Sequence, residues 1–136
     1  MRQMLPHLRK IHFVIGLALL VIFPLTGAYL RLRIPHLMLS SERMRFSMRG
    51  NHIYILLASL LHLSLGAYLR ASVVRLFGRL QLFGSFLLLL SSTLIVAAFF
   101  LESKTGAERP VTLLAMVMAS AGTLLHVFCA RGELSQ

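Results

Sequence analysis

The sequence predicts an all-α integral membrane protein, a four-helix up-down bundle, on three observations. Four apolar segments, 11–30, 52–69, 80–101 and 111–130, contain no Lys, Arg, Asp or Glu. A helix of about 20 such residues spans the hydrocarbon core of a bilayer. The segments lack the period-2 alternation of barrel strands, and in lipid only a helix or a closed barrel satisfies its own backbone. Hydrophobic residues make up 57% of the chain and the mean hydropathy is +0.81. A soluble protein with that balance would have too little polar surface to cover itself. At 136 residues the chain is expected to form a single membrane domain, 1–136.

The first segment follows Arg2, Arg9 and Lys10, so it has the layout of a secretory signal with Thr26, Gly27 and Ala28 as a small-residue site. No secreted domain is expected after it, which favours an uncleaved first helix. The connection 31–51 carries five arginines and Pro35. Within it, Ser40, Ser41 and Glu42 suit the start of a short interfacial helix, with Leu39, Met44, Phe46 and Met48 turned to lipid. After the second segment the connection is short and basic. After the third, Gly106 and Pro110 break a polar stretch, and Pro110 suits the first turn of the fourth helix.

The net charge of +10 does not signal nucleic-acid binding, because the 14 basic residues are scattered over termini and connections, opposite lipid headgroups. Four spans put both termini on one side, and Lys and Arg then divide seven to seven. The expected setting is a bacterial inner membrane with cytoplasmic termini, because the basic N-terminus flanks the first span. Cys129 is the single cysteine, which excludes an internal disulfide or paired-thiol redox site and fits apolar packing.

At about 100° per residue the polar positions fall into stripes. His52, Ser59, His62 and Gly66 share a face of the second segment, with Tyr54 pointing away. Thr112, Ala115, Ala119, Gly122, Thr123 and His126 share one on the fourth, opposite Val117. His12, Gly16, Thr26 and Gly27 share one on the first, and Gln81, Ser85, Leu88 and Ser92 one on the third. Small and hydroxyl residues mark the packed faces of membrane helices, so the stripes should face the bundle interior. His62 lies about 12 Å inside Arg70, His126 about 8 Å inside Arg131 and His12 about 3 Å beyond Lys10, all in the half facing the termini.

Ionisable residues in a membrane are costly and mark function, and neutral imidazole is an axial ligand for haem iron. Two imidazoles from different helices at similar depth are what a b-type haem needs. His62 with His126 is the first expected ligand pair, His12 with His126 the second, and His52 a weaker candidate. Gly66, Ala119 and Gly122 would make room for a flat macrocycle. Against this stands plain packing, in which each buried histidine hydrogen-bonds a Ser or Thr across helices for roughly 0.6–2 kcal/mol. His7, His36 and His52 sit at interfaces, where hydrated histidines are ordinary.

The run Lys10-Ile11-His12-Phe13-Val14-Ile15-Gly16-Leu17, followed by Leu25-Thr26-Gly27, resembles the first membrane helix of PepSY-associated membrane proteins over about 18 residues. Many of those resemble membrane reductases with an early intramembrane histidine, which would make His12 functional. More broadly the chain looks like a small membrane-bound b-type cytochrome, implying haem b, electron transfer, and a membrane protein or quinone as partner. The alternative is a non-catalytic accessory or assembly subunit, whose small-residue stripes pack against a larger complex. A glutamate-dependent transporter and a His-carboxylate metalloenzyme are disfavoured, since Glu42, Glu102, Glu108 and Glu133 all fall outside the four segments.

Overall fold

The computed structural model describes residues 4–37, 42–69, 74–105 and 108–134. They form four helices and, among the described residues, no strand: α1 (Met4–Leu37), α2 (Glu42–Tyr68), α3 (Arg75–Thr105) and α4 (Pro110–Leu134). All four are long and apolar enough to cross a membrane. Neighbouring helices run antiparallel. Along the α1–α2 seam Arg9 meets Gly66 while Thr26 meets His52, and along the α3–α4 seam Phe77 meets Phe128 while Glu102 meets Thr112. The start of α1 and the end of α4 therefore share one end of the bundle.

α1, α3 and α4 overrun their apolar segments at both ends and α2 at its start, because leucine, methionine and arginine are good helix formers. The expected interfacial helix is one departure. A helix does begin at Glu42, but it runs without a break into the second span. Phe46 faces outward as expected, whereas Met48 is 3% exposed and belongs to the core. Leu39, Ser40 and Ser41 lie outside the described residues. Tyr54, expected to point away, is half-buried against the core cluster.

Glycine sets the tightest contacts, and it sets them within two hairpins. A Cβ at Gly16 would lie 2.8 Å from Leu63, and one at Gly66 would lie 2.8 Å from Phe13, so α1 and α2 are in backbone contact. A Cβ at Gly122 would lie 2.7 Å from the Gly84 carbonyl oxygen, which does the same for α3 and α4. Such close approach is how membrane helices associate where lipid offers no hydrophobic driving force between them. Arg9 closes the first hairpin by donating from Nε to the Gly66 carbonyl at 3.2 Å and from Nη2 to the Ala67 carbonyl at 2.9 Å. Those are terminal carbonyls of α2, which no intrahelical donor reaches.

Between the hairpins the contacts are of another kind. One core cluster joins Leu19 and Leu30 of α1, Ile55 and Ala58 of α2, Ile95 and Phe99 of α3, and Ala115 of α4. Polar side chains flank it towards both ends: three histidines and two serines towards the end holding the termini, and a cluster around Asn51 at the other. Exposed large apolar side chains, Val117 among them, line the outer face of every helix.

Candidate functional site: an interior histidine cluster

The four polar stripes converge. His12 is 0% exposed, His62 1% and His126 7%, each from a different helix, and all three come together. The His12 and His62 rings stack with centroids 4.9 Å apart and Nδ1 to Nδ1 at 2.7 Å. The His126 ring meets His12 edge-on, 6.3 Å between centroids and 85° between planes. α3 brings no histidine but supplies the hydroxyls. Ser92 Oγ is 2.7 Å from His62 Nε2, and Ser85 Oγ is 3.1 Å from His126 Nε2. Ser92 Oγ also donates to the Leu88 carbonyl at 2.9 Å, the usual bond of a helical serine to the residue four before it.

Two ring nitrogens in the cluster are shielded and have no hydrogen-bond partner, His12 Nε2 and His126 Nδ1. Both nitrogens of His62 are occupied. Buried polar atoms are nearly always paired, so two orphans in one histidine cluster are the most informative feature of the site.

Sequence depth placed His12 nearer the surface than His62, yet the two are in contact. The reason is Arg9. Depth counted along the sequence took the basic residues before His12 as the membrane edge, but Arg9 bonds the carbonyls that end α2, in a register of α1 on α2 that sets His12 beside His62. The small residues also behave differently from expectation. Gly66 is filled by the Phe13 backbone and Gly122 by that of Gly84, so they serve helix contact rather than space for a macrocycle. Ala119 is half-buried on the same face of α4.

His52 does not join the cluster. Its Nδ1 is 2.9 Å from Thr26 Oγ1, and its ring stacks on Phe23 at 4.2 Å between centroids. Thr26 also donates to the carbonyls of Ile22 and Phe23, next to Pro24, which cannot donate within α1. His52 therefore fastens α2 to the stretch of α1 around Pro24. His7 is exposed, and the side chain of His36 is outside the described residues.

The largest departure from the sequence expectation lies at the other end. Glu102, expected in a solvated connection, is 4% exposed in the last turn of α3. Its Oε1 accepts from the backbone N–H of Val111 at 2.6 Å and of Thr112 at 3.1 Å, and its other oxygen meets the Thr112 hydroxyl. Pro110 has no N–H, so Val111 and Thr112 present the first unpaired donors of α4, and Glu102 takes both. Arg109 lies along α2, its Nη2 donating to Asn51 Oδ1 and to the Ser47 carbonyl, with the Tyr54 ring 5.9 Å from its guanidinium carbon. The available signal was Glu102 standing nine residues before Val111, at the very end of an apolar run.

Among the described residues no group of three or more His, Cys, Asp or Glu side chains is placed to hold one metal ion. No protein-family model, curated protein or solved structure matches the chain.

Proposed function

We propose that this chain is a small integral membrane protein that holds a b-type haem through its interior histidines and passes electrons within the membrane. The supporting observation is the pair of shielded, unpartnered nitrogens, His12 Nε2 and His126 Nδ1. The two rings that carry these nitrogens lie against each other, 6.3 Å between centroids. The donor set fits haem, which takes two axial imidazoles and leaves the equatorial positions to the porphyrin. His12 and His126 would hold it, ahead of His62, whose nitrogens are both engaged. His62 then orients His12, in the way that metal-bound histidines use their second nitrogen. Haem bound there would supply one-electron redox chemistry.

The place for the macrocycle is the seam between the hairpins. The backbone contacts at Gly16, Gly66, Gly84 and Gly122 all lie within a hairpin, so a macrocycle between the hairpins would leave them in place, and the His62–Ser92 bond that crosses the same seam would have to be kept. The same contacts weaken the accessory-subunit alternative, since the stripes it would offer to a larger complex are used inside the bundle. A membrane quinone or a partner protein would be the electron partner, and a bacterial inner membrane the setting, with both termini cytoplasmic.

The test is a visible spectrum of the protein produced with ample haem. The expected result is a low-spin spectrum whose alpha band sharpens on dithionite reduction. His12→Ala and His126→Ala should each abolish low-spin character, because each removes an axial ligand, while His7→Ala leaves it intact. Loss of the signal with His62→Ala but not with His12→Ala would exchange the ligand. A folded protein that stays colourless after reconstitution would remove the haem and leave the accessory role in first place.

A further inference from the structure

The hydrogen bonds around His62 determine where the protons sit, and the order begins at Ser92. A serine hydroxyl has one proton. Ser92 Oγ is within bonding distance of both the Leu88 carbonyl oxygen, which only accepts, and His62 Nε2. Both bonds form only if Ser92 donates to Leu88 and accepts from His62 Nε2–H. A neutral His62 then carries its proton on Nε2, and its Nδ1 is an acceptor. The 2.7 Å contact between the two Nδ1 atoms needs one donor and one acceptor, so His12 donates from Nδ1. Its Nε2 is left with a bare lone pair, shielded from solvent and without a hydrogen-bond partner.

The opposite order breaks more. If Ser92 donated to His62 Nε2, the Leu88 bond would be lost, and His62 would donate from Nδ1 to His12. His12 would then bury an N–H with no acceptor, and orphaned buried N–H groups are the rarest kind.

We propose that Ser92 is the positioning residue of the site: through His62 it fixes the tautomer of His12 and presents Nε2 as a ready electron-pair donor. Ser92 would touch neither iron nor porphyrin. Its consequence at the iron rests on the haem reading above; the proton order does not.

The experiment separates the two. Nitrogen-15 NMR of the full chain in lipid bilayers, labelled at histidine and without haem, reports which ring nitrogen carries the proton. Single His→Gln variants of His12 and His62 assign the signals. His62 is expected to be protonated on Nε2 and His12 on Nδ1. Ser92→Ala should remove this preference and Ser92→Thr should restore it, since a helical threonine also bonds the carbonyl four residues before it. With haem added, Ser92→Ala should bind more weakly, by no more than the about 10–100-fold lost when the direct outer partner of a ligand histidine is removed. A wild-type His62 protonated on Nδ1 overturns the proposal without any variant having to fold. Unchanged tautomers in a folded Ser92→Ala protein overturn it as well. The expected tautomers in a protein that takes up no haem would uphold the role of Ser92 and refute the haem reading alone.

Discussion

At the scale of single residues, the most consequential side chain outside the histidine cluster is Glu102. It reaches across from α3 to take the first two free N–H groups of α4, at 2.6 and 3.1 Å. Glu102→Ala would strip both donors of their acceptor in a shielded place, costing about 1–3 kcal/mol. A clear drop in the thermal midpoint in detergent is expected, smaller for Glu102→Gln, which keeps one carbonyl oxygen. Glu108→Ala is the control, since Glu108 is exposed and should melt as wild type does. Equal midpoints for Glu102→Ala and the control would show that α4 does not depend on this cap. Glu102 was hard to read because nothing local distinguishes a solvated glutamate from one that caps a helix beginning eight residues later. The histidines were easier, since helical spacing alone puts His62 and His126 on the small-residue faces of their helices.

At the scale of elements, the helices are held in pairs by backbone approach, and the pairing is sharply position-dependent. Gly122 faces the Gly84 carbonyl so closely that even a methyl group would meet it at 2.7 Å. Gly122→Leu should therefore destabilise the fold by at least the roughly 1–3 kcal/mol of an overpacked core. Val117→Leu, on the exposed face of the same helix, should be silent in the same melting experiment. Ala119 is half-buried and should give an intermediate loss when changed to Leu. Three equal midpoints would mean that α4 presents another face. These faces were legible because a helix repeats every 3.6 residues, so one stripe of Thr, Ala, Gly and His identified the interior. Which stripe meets which was not, because every stripe contains the same kinds of residue. The continuity of α2 was missed for a related reason. Arginines in 42–51 resembled a surface segment, yet Arg49 is exposed while Met48, Ser47 and Asn51 turn in.

At the scale of the whole molecule, four antiparallel helices place His7 and Arg131 at one end and Glu108 at the other. Single cysteines at these exposed positions should react with an impermeant thiol reagent accordingly. His7→Cys and Arg131→Cys should label from one side of the membrane, and Glu108→Cys from the opposite side. Cys129 is buried and should stay silent. Labelling of His7→Cys and Arg131→Cys from opposite sides would require an odd number of crossings. The two hairpins meet through a small apolar core flanked by polar contacts, His62 with Ser92 and His12 with His126 towards one end, and Asn51 with Arg109 and Thr112 at the other.

The number of spans and their inward faces are properties of the sequence alone. An uncharged run of about 20 residues must cross lipid as a helix, and its period then says which side is packed. That His12, rather than His62, keeps a free nitrogen was decided only in three dimensions. It depends on Arg9 of α1 bonding the end of α2, and on Ser92 of α3 meeting His62, contacts between residues 57 and 30 positions apart. The same holds for Glu102, whose role exists only once α4 starts beside it. Local sequence sets what each helix can offer, whereas hydrogen bonds between helices set which atoms remain unspent, and those depend on packing that no single segment encodes.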